Sequence, residues 1–124
     1  MNNTIILTNN PDVCIAFKNI ARYEECTVRE LFISIRDAVH TGARILSHPL
    51  SGSVKPWESP YKSVVIAPAG GALHVASLQL IEDAIAKLRT PHPLPDDALL
   101  LHDFRILDLD LITSAMEGLV CTTY

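Results

Sequence analysis

The chain has 124 residues, enough for one domain built around one core. Apolar residues make up 48% of it and charged residues 19%, a balance that excludes a disordered segment. Its formal charge of −4, with no basic run anywhere, excludes the electrostatic footprint of a nucleic-acid binder.

Met1–Thr8 has no charged stretch ahead of a long apolar one, so it reads as a strand and not as a signal peptide. Thr4–Thr8 is β-branched and apolar, as in a strand buried on both faces. In Asn9-Asn10-Pro11, Asn10 is placed to cap a helix, and Pro11 suits the first helical position. Val13, Phe17 and Ile20 follow at helical spacing, and Ala21–Glu25 reads as a short edge strand. Thr27-Val28-Arg29-Glu30 matches a capping box. It opens a second helix whose apolar stripe is Val28, Leu31, Phe32, Ile35 and Val39, with Gly42 placed to end it.

Ala43–Ser47 and Ser63–Ala67 read as the third and fourth strands. After Pro68-Ala69-Gly70-Gly71, a third helix is expected from Val75 to Leu88. Pro91, Pro93 and Pro95 make a stiff connector. Asp96 is placed to cap a short helix over Ala98–His102, Phe104–Leu107 looks extended, and Leu109, Ile112, Ala115, Met116 and Leu119 suit a final helix. Leu107–Leu111 also fits a strand by its alternation.

Alternating strands and helices predict a single α/β domain over 1–124. The expected architecture is three-layer αβα and Rossmann-like, on a small, mostly parallel sheet of about four strands. In such a sheet the loops leaving the strand carboxyl ends gather on one edge, where ligands bind. The loops after the first, third and fourth strands are Asn9-Asn10-Pro11, His48–Lys62 and Pro68–Gly71.

The His48–Lys62 loop is the conspicuous feature. Loops longer than ~12–15 residues are uncommon in compact domains and enriched in function. Ser51-Gly52-Ser53 supplies hydroxyls on a flexible backbone, and Lys55 and Lys62 supply positive charge, the ingredients of a phosphate or carboxylate site. The bland alternative is a wrapped surface loop with solvated lysines. Asn9 and Asn10 either face an anion at a helix start or simply cap it, and capping alone accounts for them. His48 fits a general acid or base, though no carboxylate at readable spacing orients it. Trp57 and Tyr61 would stack on a ligand or seal the loop onto the domain. Asp108 and Asp110, at alternate helical positions, read as a solvated face or a cap.

Neither a metal site nor a redox centre is supported. The histidines His40, His74, His92 and His102 lack ligand spacing, and Cys14, Cys26 and Cys121 form no Cys-x-x-Cys. Cys14 reads as a small buried hydrophobe. No apolar run reaches the ~20 residues of a membrane span, and a reducing, cytoplasmic location is expected.

Thr8-Asn9-Asn10-Pro11, His48-Pro49-Leu50-Ser51-Gly52-Ser53-Val54-Lys55-Pro56, Ser59-Pro60-Tyr61-Lys62-Ser63-Val64-Val65 and Ser77-Leu78 followed by Ile81-Glu82-Asp83-Ala84-Ile85 resemble the GrdX family in order and spacing, over roughly residues 4 to 88. The resemblance implies an accessory protein associated with the glycine, sarcosine and betaine reductases of amino-acid-fermenting anaerobes. It brings no catalytic residues and no known cofactor.

Three functions follow as expectations. The first is a small-anion binding or regulatory module using Asn9, Asn10, His48, Ser51, Gly52, Ser53, Lys55, Tyr61 and Lys62. The second is a small enzyme in which His48 acts as acid or base beside Lys55. The third is an assembly factor that contacts a reductase component, or a second copy in a homo-oligomer, through Leu50, Val54, Trp57 and Tyr61.

Overall fold

Each element begins where the sequence supplies its signal. In the computed structural model, which describes residues 4–50, 59–68, 70–88 and 96–121, the order is β1 (Ile5–Thr8), α1 (Pro11–Ala16), β2 (Ala21–Tyr23), α2 (Val28–His40), β3 (Arg44–Ile45), β4 (Ser63–Ala67), α3 (Val75–Lys87) and α4 (Ala98–Cys121). The Asn10 side chain caps α1 by accepting from the Asp12 amide at 3.0 Å. Thr27 and Glu30 form the reciprocal capping box of α2. Gly42, at φ 106°, ends that helix in a Schellman turn, with Ala43 N donating to Ala38 O and Gly42 N to Val39 O.

The last helix departs from expectation. Phe104–Leu107 is neither extended nor a break, and one helix of 24 residues replaces two short ones. Its start is capped by Asp97 and not Asp96: Asp97 Oδ1 accepts from Leu99 N and Leu100 N. Between Ala98 and Glu117 the sequence has no glycine or proline to stop it, and leucines favour helix.

The four strands form one open sheet in the order β2-β1-β4-β3. Only β1 and β2 pair in parallel; β4 is antiparallel to both β1 and β3. The fold is therefore mixed α/β on a mostly antiparallel sheet, which corrects the expectation of a mostly parallel, Rossmann-like one. A parallel neighbour needs a crossover element. The proline-punctuated link between β3 and β4 has no helical period to provide it. Because β4 alone is reversed, β1 and β3 end where β4 begins.

Strand alternation divides the core. Ile5, Leu7, Val64 and Ile66 join α2 and α3 around Leu31, Phe32, Ile35, Val39 and Ile81. Ile6 and Val65, on the other face, meet Val13 of α1 and Ile112 of α4. Thr8 and Ser63, cross-strand partners one step further along that second face, replace apolar side chains with hydroxyls.

Candidate functional site

The end of the sheet where β1 stops and β4 starts is held by asparagines. Asn9 is buried and uses its amide fully, donating through Nδ2 to Cys26 O (2.9 Å) and Pro60 O (2.8 Å) and accepting at Oδ1 from Lys62 N (2.9 Å). One side chain thus joins three chain segments. Asn10, besides capping α1, donates through Nδ2 to Arg105 O (3.0 Å) and Asp108 Oδ2 (3.1 Å), which fastens α4 to the start of α1.

Asp108 is the centre of a buried hydrogen-bond chain. Its Oδ2 also accepts from the Ser63 hydroxyl at 2.7 Å. That uses the one Ser63 proton, so Thr8, 2.7 Å away, donates to Ser63 Oγ while accepting from Asn10 N at 2.9 Å. Asp108 is 6% exposed and its neighbour Lys62 only 5%. Burial pushes the Asp108 carboxyl above its usual range, opposed by the hydrogen bonds from Asn10 and Ser63 and by the Lys62 charge. Burial likewise pulls the Lys62 ammonium down, opposed by Asp108.

Lys62, Ser63 and Asp108 line a cleft with Ser47, His48, Pro49, Leu111, Ile112 and Ala115. Its free volume is about 20 Å³, room for a water. Ser47 Oγ caps the sheet there by accepting from Val65 N at 2.8 Å. His48 is exposed, and its Nδ1 accepts from Leu50 N at 3.1 Å, so one ring nitrogen serves a local turn. Tyr61 lies under the Arg105 guanidinium, 5.6 Å from ring centroid to Cζ, and its hydroxyl accepts from Arg105 Nη1 at 3.1 Å.

Five of the expected residues, Asn9, Asn10, His48, Tyr61 and Lys62, stand at this end of the sheet. Ser51, Gly52, Ser53, Lys55, Val54 and Trp57 lie outside the described residues. The Pro68–Gly71 loop belongs to the opposite end, because it leaves β4, the reversed strand. Lys62 is buried and not solvated. Asp108 is neither a solvated face nor a cap: at a helical period it falls on the side of Leu109, Ile112 and Ala115, the side that meets the sheet. That register was the signal for Asp108. Thr8 and Ser63, ordinary polar strand ends, offered none.

Cys14 and Cys26 are free thiols, and both are only half-buried. Burial, then the charges of Glu24 and Glu30, push the Cys26 thiol up to about 11, which makes it a poor nucleophile. Among the described residues no three His, Cys, Asp or Glu side chains are grouped to hold a metal, and no helix is long and apolar enough to cross a membrane.

No curated protein and no solved structure gave a significant match. The model of the GrdX-like protein family matches residues 5–117, well beyond the segment of the first resemblance and through most of α4. The chain therefore belongs to the GrdX-like protein family.

Proposed function

We propose that this chain is a cytoplasmic accessory module, linked to amino-acid reductases as its family implies, that binds a small phosphate or carboxylate where β1 and β3 end and β4 begins. The observation that carries the reading is Lys62, a lysine almost wholly withdrawn from water in the wall of a cleft it shares with Ser47, His48 and Ser63. Burial lowers the Lys62 pKa against the opposing charge of Asp108, and an anion beside the ammonium would add to that opposition and favour the charged form. In this reading Asn9 and Asn10 hold the frame, Tyr61 braces α4, and Ser51, Gly52, Ser53 and Lys55 add hydroxyls and charge from the long loop. The His48–Lys55 acid-base alternative draws no support from His48, whose Nδ1 is engaged by Leu50 N.

A thermal-shift titration with phosphate, sulfate and acetate tests it. A hundredfold excess over Kd stabilises the fold by about 2.7 kcal/mol, so the melting temperature rises by several degrees. Lys62→Met abolishes the rise while the far-UV spectrum stays native. No rise with any of the three anions, or an equal rise in Lys62→Met, refutes the assignment.

A further inference from the structure

Away from the cleft, α4 is apolar on two sides. Its inner side packs Leu109, Ile112, Ala115 and Met116 against the sheet. With 24 residues it runs about 36 Å, roughly twice the length of β4, so its amino-terminal half extends past the strands it covers. There Leu99 is 76% exposed, Leu107 51%, Ile106 43% and Leu100 40%. Leu99, Ile106 and Leu107 recur at i, i+7 and i+8 on one face, and the exposed Asp103 and Asp110, at i+4 and i+11, share it. The only arginine of α4, Arg105, is turned away toward Asp12 and Tyr61.

We infer that this outer face of α4 docks a basic amphipathic helix of a partner protein, with leucine-type side chains against Leu99, Ile106 and Leu107 and lysines or arginines against Asp103 and Asp110. Charge selects this occupant. Anionic lipid and nucleic acid are repelled by the two aspartates. A second copy, packed about a two-fold axis, brings the same acidic face against itself. A helix that is apolar and basic satisfies both components, and helix-on-helix contacts use this spacing of anchors. The surface is independent of the sheet-end cleft, so its test stands whatever happens to the anion reading.

The probe is a fluorescent amphipathic Leu/Lys helical peptide, with a Leu/Glu peptide of equal length as control, titrated with the full chain and read by anisotropy. The Leu/Lys peptide binds, and the Leu/Glu peptide binds more weakly by about tenfold or more. Leu99→Gln/Leu107→Gln and Asp103→Asn/Asp110→Asn each weaken Leu/Lys binding by about tenfold. Glu82→Gln/Asp83→Asn, which removes exposed acids of α3, leaves it unchanged, as does Lys62→Met. Absence of Leu/Lys binding, equal binding to all variants, or equal affinity for the two peptides overturns the inference. So does a dimer of the unliganded chain in sedimentation velocity that Leu107→Gln dissolves, since the face is then covered by a second copy.

Discussion

The two faces of the sheet are filled by different chemistry. The α2 and α3 face is a continuous apolar core in which Phe32, Ile35, Val39, Val64 and Ile81 are completely buried. The α1 and α4 face has a smaller apolar centre, and the space beyond it is taken by Asn10, Thr8, Ser63 and Asp108. Apolar packing is forgiving of small shifts and sets stability. A buried polar chain fixes position, because each donor must meet its acceptor or lose the free energy of desolvation. The difference assigns the faces distinct tasks: one holds the domain together, while the other fixes α4 against the end of the sheet and places Lys62 and Asp108 in the cleft.

The largest effect is expected on the apolar face. Phe32→Ala leaves a cavity among Leu31, Ile35 and Ile81 and costs about 4 kcal/mol in urea unfolding. A loss below about 1 kcal/mol would mean that this face collapses to fill the space, and that it is not the stabilising one.

On the other face the informative pair is Asp108→Ala against Asp108→Asn. The alanine removes the shared acceptor of Ser63 and Asn10 and costs roughly 2–3 kcal/mol. The asparagine keeps an oxygen for both side-chain donors and removes a charge that burial disfavours. It stays within about 1 kcal/mol of the parent. The pH dependence separates shape from charge. Folded Asp108 holds its proton to higher pH than the ordinary value of 3.8, so the folded state binds more protons as pH rises from there to the folded pKa. The Asp108 contribution to stability therefore falls across that window and is level below and above it. Asp108→Asn removes this decline. A parent-minus-variant difference that is flat with pH would show that the carboxyl titrates normally.

Local signals were readable in the sequence; the direction of β4 and the burial of Asp108 and Lys62 were not. The capping box of Thr27 and Glu30, the cap at Asn10 and the Gly42 terminator each need only a few neighbouring residues, and each forms as expected. The direction of β4 depends on how two distant strands meet, which no local pattern records, and its reversal sends the loop that leaves it to the opposite end from the one a parallel sheet predicts. Asp108 sits in Leu107-Asp108-Leu109-Asp110-Leu111, where alternation imitates a strand and hides the helical register that buries it. Lys62 follows the same logic. Lysine is ordinarily solvated, and only the assembled edge, with Asn9 holding its backbone amide, shows it withdrawn from water.

The smallest effect is expected at the rim of the polar face, and it decides which contacts hold α4. Arg105 joins three elements by its side chain: it stacks on Tyr61, donates to the Tyr61 hydroxyl, and pairs with Asp12 of α1 at 3.8 Å. Asp12 and Arg105 are both partly open to water, where such pairs contribute little. Arg105→Lys keeps the charge and the stem but loses the planar fork that stacks and donates at once. A loss of about 0.5–1 kcal/mol follows. The backbone carbonyl of residue 105, which accepts from Asn10, is untouched by the change. If chemical denaturation instead shows Arg105→Lys to cost as much as Asp108→Ala, α4 is held by its exposed clamp. The buried chain through Asn10, Asp108, Ser63 and Thr8 would then be a consequence of that docking and not its cause.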